Sequence, residues 1–396
     1  MASSIPPFSI SAFLAAQPYK GIVATHCVAP TSSSTSYFQM MSRTVHFAQD
    51  DMTSIQLAYA NWFAGDQTLP GAASTVTAAI EYPAGTIRQV TFNGQAAGTI
   101  GIRQTLTSDV LDCRIPRGAK FWVRTYQTNT WGVCYSSYQQ QQNLGEASII
   151  TATGGVDLTM GGTITTNGIG TGNIYAPVAI LGQTRRPSVF ILGDSRVHGD
   201  TTTFPIPSIG TSDSGMIAPC LYPNIGYITC GSSGDSAANT ATDNGVRRCD
   251  LALYATHVIN EMGVNDITTD PTTVTSAFNN LQAINARFNG RPVWGTTLPP
   301  RCTSTDNFAT LANQVQDARN PNIIAFNQRM RANWQSMGFA GYFDFADLYM
   351  SSRDSGLWIV NGTASAFTTD GTHPNFNGYQ LARTSGIITS SMFVRS

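Results

Sequence analysis

Charge is scarce in this chain. Only 11% of its 396 residues are Asp, Glu, Lys or Arg, against roughly 25% in an average globular protein. The two signs nearly cancel, with 22 basic and 23 acidic residues and a formal net charge of -1. A general nucleic-acid binder carries a basic excess, so nucleic acid is excluded as a partner class. Long apolar runs are missing too. None approaches the ~20 residues of a membrane span. The first stretch, "MASSIPPFSISAFLAAQPYKG", lacks a basic n-region, and Ser9 and Ser11 interrupt its apolar part, so no standard secretion signal is read. The seven cysteines (Cys27, Cys113, Cys134, Cys220, Cys230, Cys249 and Cys302) form no C-x-x-C pair. No Cys/His cluster has zinc spacing, so they read as small buried residues with one or two disulfides at most. No G-x-S-x-G elbow occurs, which argues against an ordinary α/β-hydrolase.

Hydrophobic residues make up 42% of the chain, enough for a sizeable core. Ser, Thr, Asn, Gln and Gly fill the place of charge. Such a charge-poor polar surface is common in secreted and virion proteins, and an extracellular or virion-associated location is the expectation.

The pattern changes along the chain. After an N-terminal extension (1–43), residues 44–138 read as short strands. Ile55, Leu57 and Tyr59 alternate with other residues, as do Val76, Ala78 and Ile80. Asn93-Gly94 is a hairpin signal. Phe121, Val123 and Thr125 share one strand face, and Trp122, Arg124 and Tyr126 the other. An antiparallel, jelly-roll-like β-sandwich is expected here. Its aromatics Trp122, Tyr126, Trp131, Tyr135 and Tyr138 read either as a sugar-stacking surface or as core and rim. Residues 139–176 are Gly/Thr-rich and read as a linker or loop.

From about residue 177 strands alternate with helices. Strand candidates are 189–192, 225–229, 256–261, 292–296 and 341–345. Phe278, Leu281, Ile284 and Phe288 mark one helix, and Ile323, Phe326, Met330 and Trp334 a second. A third follows "HPNFNG", with Tyr379, Leu381, Ala382 and Ile387. The expected fold is α/β, with a five-stranded parallel sheet covered on both faces. Ligands on such sheets sit at the carboxyl ends of the strands, near a topological switch.

Short polar pieces fall just after or within these strands and helices: "GDS" (193–195), "GSSGDS" (231–236), "GVND" (263–266) and "DGTHP" (370–374). Each supplies a part that acyl transfer needs. A serine hydroxyl is a weak nucleophile and requires a base. Histidine serves best near neutral pH, and an acid orients its ring. Backbone N–H groups and an amide then stabilise the oxyanion. Gly-Asp-Ser alone is an ordinary turn composition, and the chain holds a second copy at 234–236. The apolar run before Ser195 favours the first copy.

These ordered blocks resemble the SGNH (GDSL) hydrolase superfamily over roughly residues 187–396, about half the chain. The resemblance implies a flavodoxin-like three-layer α/β/α fold and a serine esterase that needs no metal or organic cofactor. It implies Ser195 as nucleophile and Asp370 and His373 as acid and base. The oxyanion hole would then comprise the Ser195 and Gly234 N–H groups and the Asn265 side chain. Pro374 is expected in the first turn of the closing helix. Arg196 reads either as a ligand for an acidic substrate group or as the partner of a nearby carboxylate. His198 reads as a pocket or rim residue.

A β-sandwich ahead of this domain looks like some carbohydrate esterases. The expected partner is therefore an ester substrate, first of all an O-acetylated polysaccharide or glycan. The alternatives are a general short-chain esterase, lipase or thioesterase, or a virion or surface binding protein with an idle hydrolase scaffold.

Overall fold

The computed structural model describes residues 17–65, 70–137, 140–169, 172–200 and 215–395. The opening stretch up to Ala16, and Tyr138, lie outside the described residues. The protein is mixed α/β. Its α/β part is built on a fully parallel sheet whose strands run, in spatial order, Cys27–Val28, Gly226–Gly231, Ser188–Gly193, His257–Asn260, Val293–Thr296 and Gly341–Phe343. The sheet therefore has six strands rather than the five expected. The sixth is a two-residue piece from the N-terminal extension, too short to leave a periodic signal.

Every residue of Ser188–Gly193 is buried, because both faces of the sheet are covered. Phe190 and Leu192 point into one apolar core with Phe278, Leu281, Ile323 and Phe326. Val189 and Ile191 point into another with Phe345, Tyr349, Tyr379 and Ala382. The covering helices are Thr272–Ala286, Asn320–Asn333 and Phe376–Ser385. Phe288, Trp334 and Ile387, read as helical, fall just past the helix ends. Pro374 also lies outside its helix. Asn375 caps the helix through its side chain, and Pro374 instead bridges to Thr368. No helix among the described residues is long and apolar enough to cross a membrane.

The N-terminal half forms two large antiparallel sheets and a two-stranded one, Ser32–Ser33 with Cys134–Tyr135. The first large sheet holds Tyr19–Ile22, Ala179–Thr184, Met52–Ala60, Leu111–Ile115 and Thr105–Thr107. The other holds Ala147–Thr151, Gln39–Phe47, Lys120–Asn129, Ser74–Glu81, Ile87–Val90 and Ala97–Ile100. Three segments depart from the sequence expectation. Residues 179–184, read as the start of the α/β part, are a strand of the first sheet, paired to Leu57 and Ala58. Residues 147–151, read as linker, pair with 39–43. Asn93 and Gly94 do form a turn with positive φ (53° and 75°), closed by a single antiparallel bridge between Phe92 and Gln95, but the hairpin goes no further. The strands on either side both pair with Ser74–Glu81.

Of the aromatics read as a stacking surface or as core and rim, Tyr126, Trp131 and Tyr135 are half-buried and Trp122 is buried. Trp122 is 8% exposed and lies under the Arg43 guanidinium, 4.1 Å from it. None of the seven cysteines is paired. Ile22, Leu57, Val76 and Val123 share a continuous core with Phe190 and Leu192, so the antiparallel sheets and one face of the parallel sheet exclude water together.

His46 sits fully buried in this half. Its Nδ1 meets the Thr25 carbonyl at 2.8 Å and its Nε2 the Thr44 hydroxyl at 2.8 Å. Burial, and then the neighbouring His26, hold the imidazole down to about 3. The unfolded chain takes up this proton near pH 6.5 while the native state refuses it. Stability from this site is therefore complete above pH 6.5. It falls by about 1.4 kcal/mol per pH unit as pH drops towards 3. Urea unfolding from pH 7 to pH 4 should show a shallower loss of stability in His46→Gln than in the wild type.

Candidate active site

Gly193 closes its strand where a side chain has no room. A Cβ there would meet the Glu261 carboxylate at 2.7 Å. The chain turns, and Asp194 caps a four-residue helix, Ser195–His198, by accepting the Arg196 N–H at 3.0 Å. Ser195 thus stands at the carboxyl end of Ser188–Gly193. The chain runs from that strand to the neighbour on one side, Gly226–Gly231, and then to the neighbour on the other, His257–Asn260. This is the switch point at which a crevice opens in such sheets.

The "DGTHP" loop reaches this point from the far end of the chain. Ser195 Oγ lies 2.8 Å from His373 Nε2, and His373 Nδ1 lies 2.7 Å from Asp370 Oδ2. The other oxygen of Asp370 accepts the N–H groups of Thr372 and His373, both at 2.8 Å. Burial alone would raise the Asp370 carboxyl. The bonds from the His373 ring and from these backbone groups outweigh it and bring the carboxyl down to about 2. Asp370 is therefore an acceptor throughout the neutral range, which fixes Nδ1 as the protonated ring nitrogen and leaves Nε2 facing the serine hydroxyl as acceptor.

Three successive carbonyls of this loop are each tied down by a side chain from a different element. The Gly371 carbonyl accepts from the Trp358 indole at 2.8 Å and also from the Cys302 N–H at 3.0 Å. The Thr372 carbonyl accepts from Arg196 Nε and Nη2 at 3.3 and 3.1 Å. The His373 carbonyl accepts from the Thr368 hydroxyl at 2.8 Å. Gly371 itself has φ +69° and abuts the Cys302 carbonyl, so no side chain fits there.

The other two blocks lie beside the serine's strand. In the second copy of Gly-Asp-Ser, Asp235 forms a buried ion pair with Arg248, and Ser236 caps the helix Ala237–Thr240. Gly234 has φ +76°, with open space where a side chain would start. Asn265 Nδ2 donates to the Asp235 carbonyl at 2.8 Å. Asp266 accepts the N–H groups of Ala237 and Ala238 at 2.7 and 2.8 Å. Among the described residues, the Ser195 N–H, the Gly234 N–H and the second Nδ2 hydrogen of Asn265 have no acceptor.

Arg196 and His198, read as possible substrate-binding residues, are both buried. Arg196 has no exposed surface, and its guanidinium is turned to Thr372 as above. Beneath it lie the buried carboxyls of Asp194 and Glu261, with the Asp194 N–H donating to Glu261 at 3.3 Å. Burial, and then the Asp194 charge, push the Glu261 carboxyl well above its usual range. His198 is 3% exposed. It meets Asp200 at 2.7 Å and the Ser137 carbonyl, in the antiparallel half, at 3.0 Å.

No family model matches the chain, and no curated protein matches it. Solved structures similar to it include a carbohydrate acetylesterase from Sinorhizobium meliloti, at 18% identity over 52% of this chain and 100% of that one, TM-score 0.35. A GDSL-like lipase from Bacteroides thetaiotaomicron is similar at 17% identity over 51% of this chain and 87% of that one, TM-score 0.34. A lipase/acylhydrolase from Enterococcus faecalis is similar at 16% identity over 51% and 93%, TM-score 0.34. The likeness covers about half of the chain.

Sequence reasoning missed Glu261, Arg301, Trp358 and Thr368. Glu261 left one signal, an acid directly after the apolar strand His257–Asn260. The others act from turns and loops with no pattern to mark them. Arg196→Met removes both donors to the Thr372 carbonyl and the cation whose charge Asp194 and Glu261 feel. It should cost about 1–3 kcal/mol in urea unfolding, the usual loss of hydrogen bonds made by a charged group, and Arg196→Lys should recover only part of this.

Proposed function

We propose that the protein is a serine ester hydrolase of the SGNH type that works through an acyl-enzyme. The observation that carries this reading is the unbroken chain of contacts from Ser195 through His373 to Asp370, at 2.8 and 2.7 Å. His373 Nε2 takes the proton from Ser195 Oγ as the oxygen attacks the ester carbonyl carbon. Asp370 holds the ring and offsets the charge it gains. The tetrahedral oxyanion meets the N–H groups of Ser195 and Gly234 and the remaining N–H of Asn265, three donors with no acceptor among the described residues. His373 then protonates the leaving alcohol as the carbonyl re-forms. Water, deprotonated by the same imidazole, attacks the acyl group, and Ser195 leaves with the proton to restore the enzyme.

The substrate class we favour is an O-acetyl ester on a polysaccharide or glycan. Two features support it. Ser195 is only 6% exposed, which suits a small acyl group. The antiparallel half also reaches the nucleophile's helix through Ser137 and His198, which provides a second wall on which a large alcohol portion can rest. Arg196 and His198, being buried, take no part in recognition under this reading.

Ser195→Ala should abolish hydrolysis of p-nitrophenyl acetate while the melting temperature changes little. Wild-type turnover in that variant sinks the reading. Asn265→Ala should lower kcat by about 100-fold or more, the usual loss of one oxyanion donor, with circular dichroism unchanged. Acetate release from acetylated xylan, pectin and bacterial capsule, measured side by side, tests the substrate class. Turnover of p-nitrophenyl esters with no release from any glycan would count against it.

A further inference from the structure

Asn265 is held at both ends of its amide. Its Nδ2 donates to the Asp235 carbonyl at 2.8 Å, and its Oδ1 accepts from Arg301 Nη2 at 3.1 Å. A guanidinium only donates, so this contact fixes which end of the amide is oxygen. The remaining N–H of Asn265 is thereby aimed away from both partners. Arg301 forms no ion pair with a carboxylate among the described residues. Its Nε is buried without an acceptor. Its backbone is secured separately, since its N–H donates to Asn320 Oδ1 at 3.0 Å and its carbonyl accepts from Asn320 Nδ2 and from the Asp317 N–H. The side chain is therefore not what holds the loop. Burial, and then the Arg196 and Arg319 charges, draw its guanidinium down to about 10, which leaves it cationic at neutral pH.

A cation in no ion pair among the described residues, with Asp194 and Asp317 acting on it only at longer range, and bonded to the oxygen of an amide, withdraws electron density from that amide and strengthens the N–H groups at its other end. Hydrogen bonds in series polarise one another, most of all away from water. We propose that Arg301 is a positioning and polarising residue of the oxyanion hole, acting on the reaction through Asn265. This rests on the ester-hydrolase reading. It makes the Asn265 N–H a stronger donor at the moment when negative charge gathers on the substrate oxygen, and it prevents the amide from rotating its oxygen into that place.

The test is a double-mutant cycle between Arg301→Met and Asn265→Ala, read by steady-state hydrolysis of p-nitrophenyl acetate. The rate at which a fluorophosphonate labels Ser195 serves as a second measure. Arg301→Met should lower kcat about tenfold with KM nearly unchanged, the pattern of an interaction felt in the transition state. Arg301→Lys should regain part of it. In the Asn265→Ala background the Arg301 substitution should cost little further, because the group it acts through is gone. A loss of the same size in both backgrounds overturns the inference. So does a rise in KM alone, confined to anionic esters, which would make Arg301 a substrate ligand. A misfolded Met variant is recognised by its melting curve, and the Lys variant then carries the cycle. Absence of any Ser195-dependent hydrolysis or labelling in the wild type would overturn the ester-hydrolase reading itself and Arg301's role with it. Additivity in an active enzyme overturns only Arg301's role.

Discussion

The geometry of the site depends on one buried cation. Arg196 is bonded covalently to the serine and, through its guanidinium, to the carbonyl just before the histidine. These two residues come from opposite ends of the α/β part, 178 positions apart. A fully buried guanidinium is costly unless its surroundings compensate, and here the Thr372 carbonyl accepts from it while the Asp194 and Glu261 carboxyls lie close enough to feel its charge. Glu261 at the end of one strand and Asp194 at the end of its neighbour form the floor. Gly193 must be glycine because a side chain there would meet that floor. Nucleophile, acid floor and histidine loop are thus one polar cluster within an apolar sheet end.

The loop that carries His373 shows the complementary constraint. With φ +69° at Gly371 and a proline directly after the histidine, regular backbone pairing is confined to the single Thr368–Pro374 bridge. Side chains add to the pairing: Arg196 and Thr368 satisfy the Thr372 and His373 carbonyls, and Trp358 joins the Cys302 N–H on the Gly371 carbonyl. The orphan groups of an irregular loop have become the means of positioning an imidazole to within hydrogen-bond distance.

How much of this was legible in the sequence follows from the range over which each signal acts. The strand before Ser195 and the helices around Phe278 and Phe326 are periodic patterns a few turns long, and they appear near the places read. Ser195, His373 and Asp370 are brought together by the fold, and Asn265 and Gly234 stand at the ends of the adjoining strands. The orientation of Arg196 and His198 was not legible. A polar residue after a nucleophile looks the same in sequence whether it faces solvent or interior, and only the position of Thr372 and Ser137 decides. Cys27–Val28 was illegible for another reason. Two residues carry no period, and their strand exists because an edge was open beside Gly226–Gly231. The hairpin expected at Asn93-Gly94 is confined to the Phe92–Gln95 bridge, because the signal specifies a turn, whereas the pairing beyond it is chosen by the longer strand Ser74–Glu81, which takes both neighbours.

The shared core changes how the N-terminal half should be understood. Had it been an appended binding module, its contacts with the α/β part would resemble those between domains, polar and modest in area. Instead it contributes a strand to the parallel sheet, takes Ala179–Thr184 into its own sheet, and buries Leu57 and Val123 in the same core as Phe190 and Leu192. One apolar cluster therefore runs without a break from the antiparallel sheets to one face of the nucleophile's strand. The hydrogen bond from His198 to the Ser137 carbonyl extends this coupling to the first helical turn after the serine. A strand end held on one side by an acid floor and on the other by a second sheet system has little freedom to shift, which is the mechanical requirement for presenting a hydroxyl to an imidazole.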